Sequence, residues 1–169
     1  MHWGGFDRWA NTISQKEEDE EVKMTLLIRK ATVEDGKDIV KLFQQLSEGS
    51  GEKSPISEAS VNIYLGSTNS HIFLAENNGH VSGLISYSIR PDLWHASTCC
   101  YIEEIIVNSA ERGGGIGTQL IKYVMNKSEN EGHAEISLTV SSENTQAQRL
   151  YERLGINEVA VCMEKHFRK

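Results

Sequence analysis

The sequence predicts an α/β (α+β) protein with a mixed central sheet, helices on both faces and the element order βααβββαβαβ. Three observations carry this. Short runs with alternating apolar residues recur between stretches whose apolar residues repeat at the helical spacing. The turn Asn77-Asn78-Gly79 joins two alternating runs as a hairpin. The apolar run ending at Val107 passes through a short turn with four glycines in five positions, Gly113, Gly114, Gly115 and Gly117, into an amphipathic helix.

The elements follow in order. Leu26 and Ile28 alternate as a first strand. Thr32-Val33-Glu34-Asp35 resembles a capping box, with an acid three residues after the cap. Ile39, Leu42, Phe43 and Leu46 then form one helical face, and residues 47–55 read as a polar loop. Val61, Tyr64 and Leu65 suggest a short second helix from about Ser57. Strands are expected over 71–76 and 81–89 around the hairpin turn. Pro91 is expected to end the second and to open a loop carrying Asp92, Trp94 and His95. Residues 100–107 form the next strand. Leu120, Ile121, Val124 and Met125 mark the helix after the glycines. Ile136, Leu138 and Val140 alternate as a strand. Ala147, Leu150, Tyr151 and Leu154 mark a helix capped by Asn144 and stopped by Gly155. Val159, Val161 and Met163 alternate as a final strand.

A chain of 169 residues is one domain by length and buries about two-thirds of its unfolded surface. No window approaches the roughly 18 apolar residues of a membrane helix, and no secretory signal core is visible, so no membrane partner is expected. Of the three cysteines, Cys99 and Cys100 are adjacent and Cys162 is distant. This reads as reduced thiols in a cytoplasmic protein, and neighbouring strand cysteines point to opposite faces. No histidine or cysteine spacing suggests a metal. The net charge is −7, with no basic stripe, so nucleic acid is not an expected partner. A mildly acidic body suits a cationic amine as well as it suits many proteins.

The glycine-rich junction carries the most chemistry. Backbone N–H groups at the start of a helix have no intrahelical acceptor, which makes an anion site, usually for phosphate. A phosphate-binding loop of the lysine type needs a lysine that is missing here. A dinucleotide fingerprint fails at Thr118. The pattern Arg/Gln-x-x-Gly-x-Gly/Ala is met in full by Arg112, Gly115 and Gly117. Residues 143–156 add a second motif, Asn-x-x-Ala-x-x-hydrophobic-Tyr-x-x-x-Gly, carried by Asn144, Ala147, Leu150, Tyr151 and Gly155. Ile156 stands where an aromatic is common.

On these two motifs, in this order and at this separation, the chain resembles the GNAT (GCN5-related) N-acetyltransferase family, more weakly over residues 24–167 as a whole. The resemblance implies acetyl-CoA as co-substrate and a small-molecule primary amine as acceptor. Attack would be direct, in a ternary complex without an acyl-enzyme. Backbone groups of Ile105, Ile106 and Val107 would hold the pantetheine arm as an added strand. Arg112, Gly113, Gly114, Gly115, Ile116, Gly117 and Thr118 would hold the pyrophosphate, and Asn144 would cap its helix, touch the cofactor arm, or both. Arg112 reads otherwise as a solvated loop arginine. Homodimerisation is implied by the resemblance alone.

Glu103 and Glu104 are acids inside an apolar strand. Regular alternation sets Glu103 with Ile105 and Val107, and Glu104 with Ile102 and Ile106. The resemblance implies a general base on this strand, Glu103 ahead of Glu104, the alternative being a carboxylate paired to a basic neighbour. Tyr151 matches the family tyrosine that protonates the leaving thiolate, or else it is a core aromatic. Asp92 and Trp94 are candidates for the acceptor pocket through an ammonium contact and a cation–π face, although Trp94 serves equally as a loop anchor. Two other readings stay open. One is acetylation of a protein or peptide, and the other is a non-catalytic acyl-CoA sensor.

Residues 24–169 form the expected domain. Residues 1–23, with Trp3, Phe6, Trp9 and an acidic block, read as an extension outside the core, either disordered or docked by its aromatics. Met24 is a competing start, because the fold pattern begins immediately after it. Deleting residues 1–23 is expected to leave turnover unchanged, with melting temperature and oligomeric state showing whether the aromatics dock. An insoluble or inactive truncation would make the extension part of the working protein.

Overall fold

The computed structural model of the chain describes residues 26–50, 53–165 and 167; the extension over residues 1–23 lies outside them. Strand β1 (Leu26–Lys30) leads through a 3-10 turn (Val33–Asp35) into helices α1 (Gly36–Ser50) and α2 (Glu58–Leu65). Strands β2 (Ser70–Asn77), β3 (His80–Asp92) and β4 (Ser97–Val107) follow, then a second 3-10 turn (Ser109–Glu111). Helix α3 (Ile116–Asn130), strand β5 (Glu135–Leu138) and helix α4 (Thr145–Arg153) complete the regular elements. The strands lie side by side in chain order. The first three pairings are antiparallel and β4–β5 is parallel, so the sheet is mixed.

Local chemistry explains the boundaries. The Asp35 carboxylate accepts from the Thr32 backbone N–H at 2.7 Å, the reach-back half of a capping box. The Ser57 hydroxyl accepts from the Ser60 N–H and starts α2. Asn78 and Gly79 have φ of 49° and 80°, the pair of positive values that a tight hairpin turn needs. Asn144 caps α4 by accepting from the Ala147 N–H at 3.1 Å. Gly155, at φ 86°, ends that helix, with the Ile156 N–H returning to the Tyr151 carbonyl at 3.0 Å.

Side-chain alternation on the sheet builds two cores. On one face Phe73, Ile85, Tyr87, Cys100 and Ile102 pack with Ile116, Leu120, Ile121 and Val124 of α3, and Leu150 and Tyr151 of α4, with Leu154 at its C-cap, close its edge. On the other, Leu74, Leu84 and Ile106 pack with Ile39, Leu42 and Val61 of α1 and α2. Cys100 is buried and Cys99 half-buried, as opposite faces require; both are free, as is Cys162.

Two expectations are corrected. Strand β3 runs through Pro91 to Asp92, paired to Ser97 of β4. Proline is tolerated there because β2 has already ended, opposite Ser88. The final strand is absent from the described residues. Val159, Val161 and Met163 are 96%, 89% and 91% exposed. An alternating pattern becomes a strand only when a ladder partner takes its backbone groups. Here the segment stands off from β5 and α4 across a cavity of about 620 Å³.

Arg29 fastens the first strand to the helical layer. Its two terminal nitrogens donate to both Asp35 oxygens at 2.9 and 2.8 Å, and its Nε donates to Glu76 at 2.7 Å. Donation from Arg29 holds the Asp35 carboxyl below its ordinary range. Removing the carboxylate by Asp35→Ala is expected to cost about 2 kcal/mol in urea unfolding. Because the folded group titrates below its unfolded value, its contribution is present above about pH 4 and is lost on acidification. The difference between wild type and variant should shrink as pH falls toward 2, and a pH-independent gap would exclude this source.

Candidate active site

The site begins with a break in the sheet. β4 and β5 pair only from Cys99–Glu135 to Ile102–Leu138. β4 continues from Glu103 to Val107 with no strand on that side among the described residues. At the same place the β3–β4 register slips: Ser86 faces Glu104, and Tyr87 faces Ile102. Glu103 is therefore the extra residue of a β-bulge, which bends a strand and re-aims its side chains. The regular alternation expected for the two glutamates is thereby corrected. Ile102 packs in the α3 core and Ile106 in the α1–α2 core, so they do not share a face.

A cleft of about 540 Å³ opens between the unpaired end of β4, the glycine-rich turn and α4. Its wall includes Ile105, Ile106, Val107, Arg112, Gly113, Gly115, Ile116, Gly117, Thr118, Asn144 and Tyr151. These residues, scattered over forty-odd positions by motif, meet in one place. Gly114 is not on the wall; its N–H is turned to the Glu111 carbonyl at 3.4 Å. Gly115 caps α3 at φ 81°, and Gly113 stands at φ 87°. That left-handed geometry aims the first N–H groups of α3 at the cleft, a favourable seat for an anion. Arg112 Nε donates to the Val107 carbonyl at 3.2 Å, which lays the guanidinium along the end of β4. Sequence reasoning missed Arg153 and Glu111 on this wall. Arg153 is the basic residue in the last turn of α4, a position that also reads as a helix-end charge.

The two strand glutamates have different surroundings. Glu103 accepts from the Ser88 hydroxyl at 2.6 Å and from Arg90 at 3.1 Å, and Arg90 also lies 3.9 Å over the Tyr101 ring. This is the ion-paired alternative. Glu104 has no hydrogen-bond partner among the described residues, and burial, reinforced by Glu103, raises its carboxyl above the usual range. Burial, and then the field of Glu104, raises the Tyr151 phenol. Tyr151 lines both the cleft and the neighbouring 620 Å³ cavity.

Asp92 and Trp94 are not gathered here. Asp92 pairs across to Ser97, roughly 20 Å from Glu104 at the usual strand rise. Its carboxylate is turned to His95 Nδ1 at 2.6 Å and to the N–H of Trp94 at 2.9 Å. Trp94 is 89% exposed and anchors nothing. The hairpin has carried both past the open end of the sheet, because β3 and β4 stay paired for longer than the proline suggested.

A five-stranded mixed sheet, an open β4 edge and a glycine-rich anion turn define an acyl-CoA-type transferase class. The Acetyltransferase (GNAT) family model matches residues 37–156. The chain therefore belongs to the GNAT family and is an N-acetyltransferase of the acetyl-CoA-dependent kind. It is 28% identical over 149 residues to an aminoalkylphosphonate N-acetyltransferase of Salmonella typhimurium, covering 88% of this chain and 92% of that protein. Among solved structures, one described as a transcriptional regulator from Bacillus halodurans C-125 superposes with a TM-score of 0.77 at 26% identity, over 84% of this chain and 99% of that one. An aminoglycoside acetyltransferase from an uncultured soil metagenomic sample gives 0.75 at 18% identity, covering 88% and 100%. Among the described residues no helix is long and apolar enough to cross a membrane.

Gly115→Val should weaken acetyl-CoA binding at least tenfold in calorimetry. A β-branched residue resists positive φ, although open space surrounds the position and no clash is involved. Unchanged affinity would show that the αL cap is not needed for the anion.

Proposed function

We propose that the chain transfers the acetyl group of acetyl-CoA to the primary amine of a small cationic molecule, with Glu104 as general base and Tyr151 as general acid. The observation that carries this is the contrast at the bulge. Glu103 is engaged by Ser88 and Arg90, while the carboxyl of Glu104 and the hydroxyl of Tyr151 are uncommitted, and the field of Glu104 reaches Tyr151.

Acetyl-CoA lies in the 540 Å³ cleft, its pyrophosphate on the N–H groups at the start of α3 and beside Arg112 and Arg153. Its pantetheine amides pair with the open edge of β4 at Ile105 to Val107, taking hydrogen bonds that β5 has left unused. The acceptor amine attacks the thioester carbonyl carbon. A C–N bond forms, the C–S bond breaks, and the amine proton passes to Glu104, directly or through water. The thiolate takes its proton from Tyr151, giving the N-acetyl product and the free CoA thiol. Holding the two reactants in register supplies much of the rate, since well-oriented reactions gain about 7–11 kcal/mol. The raised phenol keeps its proton through the neutral range until the thiolate develops.

The acceptor side is the adjoining cavity that shares Tyr151. Glu152, Glu158 and Glu164 are on its wall, and neither lysine nor arginine is. Such a wall favours an ammonium-bearing substrate. The names of the aminoalkylphosphonate and aminoglycoside relatives are consistent with a small amine. For this chain that wall takes the place of Asp92 and Trp94.

Tyr151→Phe should lower kcat about a hundredfold and leave acetyl-CoA affinity intact, because only a transition-state proton is lost. Glu104→Gln should do the same and abolish the acidic limb of the pH–rate profile. In the wild type that limb lies above the ordinary glutamate value of about 4.3, because burial keeps Glu104 protonated to higher pH. Glu103→Gln should retain the limb. Free-thiol release with a panel of amines reads all three, and a limb that follows Glu103 instead would reverse the assignment.

A further inference from the structure

Glu111 is an acid on the wall of a cleft whose ligand is an anion. Left alone it would repel a pyrophosphate, yet its carboxylate is turned onto donors of another element. It accepts from the Ser82 hydroxyl at 2.8 Å, from His80 Nε2 at 3.2 Å and from the Asn77 amide at 3.3 Å. All three flank the β2–β3 hairpin turn. Ser82 is fully buried and Asn77 is 6% exposed. The Asn77 amide has Glu111 as its acceptor, and the Ser82 hydroxyl has His80 Nε2 at 3.2 Å besides, so removing the carboxylate strands the Asn77 donor in a dry place and leaves Ser82 with the imidazole alone. The hydrogen bonds outweigh the desolvation of Glu111 and hold its carboxyl below the usual range, so it stays ionised in the folded chain.

The backbone of Glu111 faces the other way. Its carbonyl accepts from the Gly114 N–H at 3.4 Å, and its own N–H returns to the Asn108 carbonyl at 2.9 Å. The Asn108 N–H is in turn fixed to the Ser82 carbonyl at 2.8 Å. Three glycines in succession follow at 113–115, the costliest kind of backbone to order. One residue thus joins a rigid hairpin to the stretch of chain with the largest conformational freedom.

We propose that Glu111 is a positioning residue for the cofactor: tied to Asn77, His80 and Ser82, it presets the glycine turn so that the N–H groups at the start of α3 are aligned before acetyl-CoA arrives. This rests on the reading of that turn as the pyrophosphate seat. A preset turn lowers the ordering cost charged against binding, so the effect falls on cofactor affinity and spares the chemistry at Glu104 and Tyr151.

The test compares wild type, Glu111→Ala, Glu111→Gln and Ser82→Ala in the full chain. Calorimetry gives acetyl-CoA affinity, steady-state kinetics separates KM from kcat, and thermal melting reports folding. Glu111→Ala is expected to raise the Kd and KM for acetyl-CoA about tenfold, leaving kcat at saturation and the acceptor KM within about twofold, a tenfold change being 1.4 kcal/mol. Glu111→Gln keeps an acceptor oxygen, sheds the repulsive charge and should bind as well as wild type or better. Ser82→Ala should move affinity in the direction of Glu111→Ala, and it serves if that variant melts below the assay temperature. If wild type binds acetyl-CoA and Glu111→Ala binds it equally, the positioning role is wrong. Loss of kcat in parallel with melting temperature, without a KM effect, would also overturn it, as a general structural defect. If wild type itself does not bind acetyl-CoA, the reading of the turn fails instead.

Discussion

The structure depends on one failure of hydrogen bonding. After Ile102 and Leu138, β4 and β5 part. Backbone N–H and C=O groups inside a protein are nearly always paired, so a run of strand left open along Glu103 to Val107 is costly unless water or a ligand takes it. The bulge at Glu103 bends β4 at that point, the core under α3 continues on one side of it, and α4 closes the far wall. Cleft, anion turn and uncommitted side chains all lie around this opening.

Electrostatics then sorts residues that look alike in the sequence. Two adjacent glutamates have different surroundings because one meets Ser88 and Arg90 and the other is buried without a hydrogen-bond partner among the described residues. The same economy governs the acids around the site. Glu111 lies on the cleft wall, and its carboxylate is turned onto hydrogen-bond donors behind it. Glu152, Glu158 and Glu164 lie on the wall of the neighbouring cavity, the side proposed for the acceptor amine.

Most of the fold was legible because its signals are local. Thr32, Ser57 and Asn144 cap helices by contacts within three residues, and Asn78-Gly79 turns a hairpin by its own backbone. That Arg112, Gly115, Gly117 and Tyr151 share one cleft wall was legible through motif spacing. What escaped is non-local. The bulge leaves no mark in a run of apolar and acidic residues, so the alternation through Glu103 was carried one residue too far. Pro91 reads as a strand end unless one knows that β2 has stopped. The alternating Val159, Val161 and Met163 describe a strand's composition, and composition does not supply the neighbour that makes it one. Glu111 reads as a loop acid until the hairpin is folded against it.

The bulge also divides β4 into two halves with different grammars. On the Val107 side of it, the even positions Glu104 and Ile106 share the face toward α1 and α2. On the Ser97 side, that face belongs to the odd positions Tyr101 and Cys99. A one-residue deletion at 103 would make Ile102 and Glu104 neighbours opposite Tyr87 and Ser86, and regular alternation would then keep Cys100 and Ile102 in the α3 core and Ile106 in the α1–α2 core. What the deletion would remove is the bend. The extra residue is therefore spent on the course of the strand and not on its packing: both cores can do without it, and the opening beside β4 cannot.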